Sequence, residues 1–245
     1  MITTRLSVNL NKIALVRNAR GHGVPQLEEF AVLAVTHGAV GVTIHPRPDQ
    51  RHARYSDIAD LRACMGSTHE LNVEGYPAPE LMEHVLAHRP DQLTLVPDAP
   101  NQITSDHGWD LREPPSELMA ALQQAQAAGI RVSVFIDPEF AQIEQAAALG
   151  FDRVELYTEA YAQAFASGHY AAVLDQYRAC FQQAEALGLG INAGHDLDLQ
   201  NLGALVSGSP IAEVSIGHAL TVEAWRYGFA ETIARYVAVL NAAGH

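Results

Sequence analysis

Cysteine, positive charge and long apolar runs are all scarce in this sequence of 245 residues. The two cysteines, Cys64 and Cys180, each lie inside a helical pattern, so a disulfide framework is excluded and a reducing compartment is indicated. Lys and Arg number 15 against 28 Asp and Glu, which gives a net charge of -13. A surface of this sign argues against nucleic acid or an anionic membrane as the main partner, so an anionic ligand needs a local basic pocket.

Targeting and membrane signals are also missing. The N-terminal segment lacks the apolar region of a signal peptide, and no later segment approaches the length of a membrane span. We therefore expect a cytoplasmic protein that binds neither nucleic acid nor membrane. A hydrophobic content of 48% lets the chain bury the core of a single domain over residues 1–245.

Eight short segments alternate apolar and polar residues, as strands do, and helical patterns separate them. The predicted strands are residues 5–10, 40–45, 69–74, 92–96, 131–136, 153–157, 190–192 and 213–216. The predicted helices are residues 25–37, 56–65, 79–88, 115–128, one from 137–139 to 150, one or two before 187, 197–206, and 219–243 with a break near Gly228. Ser56 and Asp137 are the expected N-caps of their helices.

This order of elements predicts the fold. Eight strand–helix units in series are typical of the closed parallel (β/α)8, or TIM, barrel, here with extra helices. A doubly wound sheet is the alternative, but no Gly-rich dinucleotide turn follows the first strand. The loop over residues 97–114 is long enough to act as a lid.

One side of the predicted strands is polar, although barrel interiors are usually filled by Val, Ile and Leu. The polar positions are Ser7, Asn9, Thr43, His45, Asn72, Glu74, Thr94, Ser133, Arg153, Glu155, Asn192 and Ser215. Burying such a group without a partner costs about 1–3 kcal/mol. We interpret this side as an interior selected for chemistry as well as for stability.

Glu74 and Glu155 lie at the C-terminal ends of their strands, where barrel enzymes carry their chemistry, and they suggest proton transfer. The alternative for Glu155 is a structural ion pair with Arg153 or with an Arg from a loop.

Basic and imidazole groups follow the second strand and the last two strands. Arg47, Arg51 and His52 come after His45 in a proline-rich loop, which indicates either an anion-binding loop or a solvated turn. Residues 192–196 and 216–219 each contain Gly-His, and the helix predicted from Ala219 would direct its free N–H groups at an anion. A metal site must be considered for His45, His52, His195 and His218, but none has the helical two-His spacing of a zinc enzyme, so no metal is predicted.

Further motifs lie in order along the chain, over residues 8–14, 17–21, 45–52, 72–74, 95–97, 134–137, 192–195 and 216–219. Together these stretches resemble the PdxJ family of pyridoxine 5′-phosphate synthases. The resemblance implies a TIM barrel with added helices, a homo-octamer, and a reaction that needs neither metal nor organic cofactor. That reaction joins 3-amino-2-oxopropyl phosphate to 1-deoxy-D-xylulose 5-phosphate and gives pyridoxine 5′-phosphate, phosphate and water.

The resemblance also implies residue roles. His45 and Glu74 would accept protons, His195 would donate one, and Glu155 would stabilise charge in the transition state. The aminoketone phosphate would be held by Asn9, Arg20, Asp196, Gly217 and His218. The deoxyxylulose phosphate would be held by Asn11, Lys12, Arg47, His52 and Thr104.

This chain departs from the family at a few of these positions. Family members commonly have Asp-His where this chain has Asn11-Lys12, and Gly at the positions of Asp196 and Glu159. Two other functions therefore stay open: a metal-dependent sugar-phosphate aldolase or epimerase, and a catalytically silent barrel that binds a phosphorylated metabolite.

Overall fold

The computed structural model describes residues 4–98 and 105–244, and within them the eight strands form a closed parallel barrel. Each strand pairs with its neighbours in sequence, and the first strand pairs with the last. The strands are β1 Arg5–Asn9, β2 Gly41–Ile44, β3 Glu70–Gly75, β4 Gln92–Leu95, β5 Arg131–Ile136, β6 Arg153–Leu156, β7 Gly190–Ala193 and β8 Glu213–Ile216. The predicted TIM barrel is confirmed, and each predicted strand matches to within a residue or two.

Helices surround the barrel. In the described ranges they are α1 Asn11–Asn18, α2 Leu27–Thr36, α3 Ser56–Met65, α4 Pro79–His88, α5 Ser116–Ala127, α6 Phe140–Leu149, α7 Glu159–Ala166, α8 Ala171–Ala186, α9 Leu202–Val206, α10 His218–Tyr227 and α11 Phe229–Ala243. The expected extra helix after β6 and the break at Gly228 are both confirmed. None of the helices in the described part of the chain is long and apolar enough to cross a membrane.

Several local predictions were wrong. None of the predicted helices covers α1, which begins two residues after β1, and the helix predicted over residues 197–206 begins only at Leu202. Ser56 is the first residue of α3 and its side chain makes no capping hydrogen bond. Asp137 lies before the helix, which begins only at Phe140, and its carboxylate accepts a hydrogen bond from the backbone N–H of Gly108 instead.

The two sides of the strands divide as their alternation predicts. The apolar side is fully buried under the helices, as at Val42, Leu71 and Leu93. On the polar side a chain of hydrogen bonds crosses four strands, and we call its members the axial chain: Ser7, Thr43, Asn72 and Thr94. The Oγ of Ser7 lies 2.7 Å from Oγ1 of Thr43, Asn72 donates to Thr43 at 3.3 Å, and Thr94 donates to Asn72 at 3.0 Å.

Charged groups close the N-terminal end of the barrel. Arg131 contacts the carboxylate of Glu70, and Arg153 lies 4.0 Å from the carboxylate of Glu213. Burial, together with the nearby Glu70, raises the pKa of Glu213 to about 8. These residues are structural, since the cavity described below lies at the opposite end of the strands.

Candidate active site

A cavity of about 500 Å³ opens at the C-terminal ends of the strands, where β1, β2, β3, β6, β7 and β8 contribute its walls. It brings together nearly all of the side chains singled out from the sequence. Its lining includes His45, Glu74, Glu155, His195, Asn9, Asn11, Lys12, Arg47, His52, Asp196, Gly217 and His218.

Two predicted binding residues are not placed in this lining. Arg20 is exposed just beyond α1 and is absent from the cavity wall. Thr104 lies outside the described residues. The assignment of a binding role to either residue stays a prediction.

His45 and Glu74 form the first pair. The Nδ1 atom of His45 lies 3.8 Å from Oε2 of Glu74, and Asn9 donates to that same carboxylate oxygen at 3.4 Å from across the barrel. Both side chains of the pair are buried. Burial lowers the pKa of His45 well below its usual value. Burial also raises the pKa of Glu74 well above its usual value, and the negative charges of Glu155 and Asp98 raise it further. Burial therefore favours the neutral imidazole and the protonated carboxyl over their charged forms.

Asp98 belongs to the same cluster, and the sequence prediction missed it. Its Oδ2 atom lies 2.5 Å from Nη2 of Arg47 and 3.5 Å from Nε2 of His45, and it accepts a hydrogen bond from Ser105 at 2.9 Å. Burial raises the pKa of Asp98, while the neighbouring Arg47 opposes that change. Asp98 could have been found because it comes three residues after β4, at the same end of the barrel as Glu74.

His195 and Glu155 form the second pair, with Nδ1 of the imidazole 3.9 Å from Oε1 of the carboxylate. Among the described residues Glu155 faces His195, whereas Arg153 lies 4.0 Å from Glu213, so the expected pairing of Glu155 with Arg153 is wrong. Arg153 instead donates to Asn192 at 3.0 Å and faces Glu213. Burial raises the pKa of Glu155 to about 7, and burial with the charge of Arg47 lowers the pKa of His195 to about 4.

Aromatic rings fix the orientation of His195. Its ring centroid is 4.9 Å from that of Phe135 and 5.4 Å from that of Tyr157. Its backbone carbonyl accepts a hydrogen bond from the hydroxyl of Thr158. A ring held between two others cannot turn freely, so its Nδ1 atom stays directed at Glu155.

The first turn of α1 lines the cavity beside the loop that follows β2, residues 45–55, which we call the β2 loop. The Oδ1 atom of Asn11 accepts a hydrogen bond from the backbone N–H of His45 at 2.8 Å, and Asn9 caps the N–H of Asn11 at 3.0 Å. An aspartate at position 11 would accept the same bond, so the departure at Asn11 keeps this contact. Burial lowers the pKa of His52 to about 4, and the positive charge of the nearby Lys12 contributes to this shift.

Glycines allow the last two loops to approach the cavity. A side chain at Gly217 would lie 3.0 Å from Asn9, and one at Gly194 would lie 2.5 Å from the carbonyl oxygen of Ser215. Asp196 has a backbone φ of 60°, a left-handed conformation that glycine adopts at little cost. The glycine that the family resemblance implies at this position would adopt the same conformation more readily than aspartate. Burial and the nearby Glu159 raise the pKa of Asp196, and His218 opposes them.

Metal-binding geometry does not occur in the described part of the chain. Within residues 4–98 and 105–244, no three His, Cys, Asp or Glu side chains are arranged to hold a metal ion. The arrangement instead suits acid–base chemistry, because two imidazole–carboxyl pairs face one enclosed space. The α10 helix begins at His218, next to Gly217, so its N-terminal N–H groups lie at the same cavity.

Comparison with known proteins decides the family. The family model described as "Pyridoxal phosphate biosynthesis protein PdxJ" matches residues 6–242. The chain belongs to the PdxJ family. A PdxJ relative from Cytophaga hutchinsonii, named pyridoxine 5′-phosphate synthase, is 52% identical over 97% of this chain and 99% of its own length. A relative with the same name from Bacteroides fragilis is 49% identical over 95% of this chain and 98% of its own length. Another from Brucella anthropi is 46% identical over 96% of this chain and 98% of its own length.

Solved structures show that this PdxJ chain shares its fold more widely. A structure titled "Native KDPGal structure" covers 100% of this chain and 98% of its own, with a TM-score of 0.63 and 13% identity. A mutant tryptophan synthase α-subunit from Pyrococcus furiosus covers 98% of each chain, with a TM-score of 0.63 and 12% identity. At these identities the likeness concerns the barrel alone.

Proposed function

We propose that this PdxJ chain is a pyridoxine 5′-phosphate synthase that condenses 3-amino-2-oxopropyl phosphate with 1-deoxy-D-xylulose 5-phosphate. The products are pyridoxine 5′-phosphate, inorganic phosphate and water. The observation that carries the proposal is one cavity in which the pairs His45–Glu74 and His195–Glu155 face each other between basic groups and a helix N-terminus. The names of the full-length relatives support the same activity.

Proton transfers define what the two pairs do. Imine formation, phosphate elimination and ring closure each move a proton, so the site needs groups that change protonation near neutral pH. A pKa near 7 gives Glu155 both forms at neutral pH, and burial raises the pKa of Glu74 well above its usual value. His45 with Glu74 then serves as the proton-accepting pair, and Glu155 stabilises positive charge that develops beside it.

His195 acts as the proton donor only after substrate binds. Burial and the charge of Arg47 lower the pKa of His195 to about 4, so its imidazole is neutral at pH 7. A bound phosphate would place negative charge in the cavity and raise the pKa of His195. Binding thus charges the donor at the moment it is needed.

Two phosphates need two anion pockets. Arg47, His52 and Lys12 form the first, on the β2 loop and α1, and would hold the deoxyxylulose phosphate. Gly217 and His218 form the second, where the first N–H groups of α10 face the cavity and would hold the aminoketone phosphate. Because Asp98 already binds Arg47 in this structure, the incoming phosphate must displace that carboxylate or share the guanidinium with it.

The test mixes both substrates with the purified protein in EDTA and follows the pyridine absorbance of the product. Product formed in EDTA supports the synthase. Activity that a chelator abolishes would favour a metal-dependent aldolase or epimerase. Phosphate binding without product would favour a silent binding barrel.

Two further parts of the proposal concern the assembly and its compartment. We propose a cytoplasmic homo-octamer, in line with the resemblance to the family. Large apolar side chains on the monomer surface support self-association, with Trp225 76% exposed and Val24 68% exposed. Sedimentation equilibrium tests the octamer, and a monomer at micromolar concentration would overturn it.

A further inference from the structure

The last turn of α1 carries two side chains that the proposed chemistry does not use. Arg17 is buried and binds Asp57 of α3 through two parallel contacts, Nη1 to Oδ1 at 2.6 Å and Nη2 to Oδ2 at 2.9 Å. Its Nη2 atom also lies 3.4 Å from the backbone carbonyl oxygen of His52. A planar guanidinium with both edges engaged has a fixed orientation, so Arg17 links α1, α3 and the β2 loop.

Asn18 binds the same loop directly. Its Nδ2 amide lies 2.7 Å from the carbonyl oxygen of His52, 3.0 Å from that of Arg51 and 3.3 Å from that of Gln50. Its Oδ1 atom accepts hydrogen bonds from Arg54 at 2.8 Å and from Arg17 at 3.3 Å. Both ends of one amide therefore contact the loop from 50 to 54.

The loop needs such support because its backbone is not in a conformation of low energy. Gln50 has a φ of 48°, in the left-handed region that residues other than glycine rarely adopt. Consecutive carbonyl groups at 50, 51 and 52 point at one side chain, an arrangement that no strand or helix provides. Without Asn18 these carbonyl groups would have to find water, and the loop would relax.

We propose that Arg17 and Asn18 are positioning residues that hold the β2 loop so that Arg47 and His52 face the cavity. The first turn of α1 fixes the start of the loop through Asn11 and His45, and the last turn fixes its end through Asn18 and His52. One short helix thereby sets the separation between the proton-accepting pair and the basic pocket. This inference rests on the proposed function, because it assigns that pocket to the deoxyxylulose phosphate.

Kinetics of Asn18→Ala test the role of the clamp, the name we give to Arg17 and Asn18 together with their contacts to the β2 loop. We expect the KM for 1-deoxy-D-xylulose 5-phosphate to rise by about tenfold to 100-fold, because a displacement of about 1 Å in a binding group has effects of this size. The KM for 3-amino-2-oxopropyl phosphate should change less than about twofold, because Gly217 and His218 of its proposed pocket lie at the start of α10, away from the loop, and Arg20 is outside the cavity wall. A general loss of structure would change both values together.

A second measurement does not depend on turnover. Trypsin cleaves after Arg51 and Arg54 only when the loop opens, so cleavage there should be faster in Asn18→Ala than in the wild type, by about tenfold. Binding of inorganic phosphate, measured by calorimetry, should weaken in parallel. If the wild type makes no pyridoxine 5′-phosphate, the proposed function fails, while proteolysis and phosphate binding still decide whether the clamp exists.

Matched variants complete the test. Asn18→Asp keeps the acceptor for Arg54 but turns the donor into a carboxylate facing three carbonyl groups, so it should behave like Asn18→Ala. Arg17→Lys keeps the charge and loses the bidentate contact, and it serves if an Asn18 variant does not fold. Asn241→Ala, exposed on α11, is the control with wild-type values. Unchanged loop cleavage, or equal changes in the two KM values, in folded Asn18 and Arg17 variants would overturn the proposal.

Discussion

Replacing Glu155 by Gln should change how stability depends on pH. The carboxylate is 2% exposed, and its Oε2 atom has no hydrogen-bond partner among the residues that the structure describes. Burial raises its pKa from 4.5 to about 7. Each pKa unit corresponds to about 1.36 kcal/mol, so ionising Glu155 in the folded protein costs about 3 kcal/mol more than in the unfolded chain.

The sign follows from the two protonation states. Below the unfolded pKa of 4.5 the carboxyl is protonated in both states, and burial of the charge costs nothing. As the pH rises from 4.5 through about 7, the unfolded chain loses the proton first, and the folded state becomes less stable by up to about 3 kcal/mol. A glutamine cannot ionise, so Glu155→Gln is free of this loss.

Urea unfolding at about pH 5 and about pH 8.5 measures the effect. We expect the free energy of unfolding of Glu155→Gln, relative to wild type, to be higher at the upper pH than at the lower one by about 2.5 kcal/mol, because part of the loss has already occurred at about pH 5. The cost of burying the new amide is the same at both pH values and cancels in the comparison. Glu83→Gln removes an exposed carboxylate from α4 and is the control. An identical difference at both pH values would refute the reasoning, and turnover should be lost in either case.

Three other predictions concern the site. Glu74→Gln should keep the fold and phosphate binding but lower kcat by about 100-fold or more, and normal product formation would remove Glu74 from the mechanism. Gly194→Ala should lower stability by about 1–3 kcal/mol in urea unfolding, because its Cβ would lie 2.5 Å from a β8 carbonyl oxygen, whereas Gly203→Ala meets no atom closer than 3.5 Å and should be neutral. Sulfate should bind with proton uptake at about pH 6, since its charge raises the pKa values of His195 and His52 from about 4. Calorimetry in two buffers of different ionisation enthalpy measures that uptake, and heats independent of the buffer would contradict it.

Alternation along the strands was enough to predict the barrel and most of the site. The polar residues predicted at every second position of β1 to β4 include the members of the axial chain. The ionisable residues predicted at the strand ends include His45, Glu74 and Glu155, which line the cavity. Period and strand order are local properties, so a single sequence reveals them.

Pairings between distant residues were beyond such reasoning. Helix α1 was missed because its buried face includes Arg17, whose ion-pair partner Asp57 lies 40 residues later. Asp98 was missed because its partner Arg47 lies on a different loop. The wrong cap at Asp137 has the same origin, since its N–H partner belongs to Gly108. In each case the contact joins residues that are far apart in the sequence, so no local pattern contains it.

The axial chain also restricts how this barrel can change. Thr43 has hydrogen-bonding neighbours on both sides, Ser7 on β1 and Asn72 on β3. A valine there would match the volume of the threonine but deprive both neighbours at once, in a place that water can hardly reach. Evolution or design must therefore exchange these residues as linked sets, because a substitution on one strand requires a compensating substitution on the next.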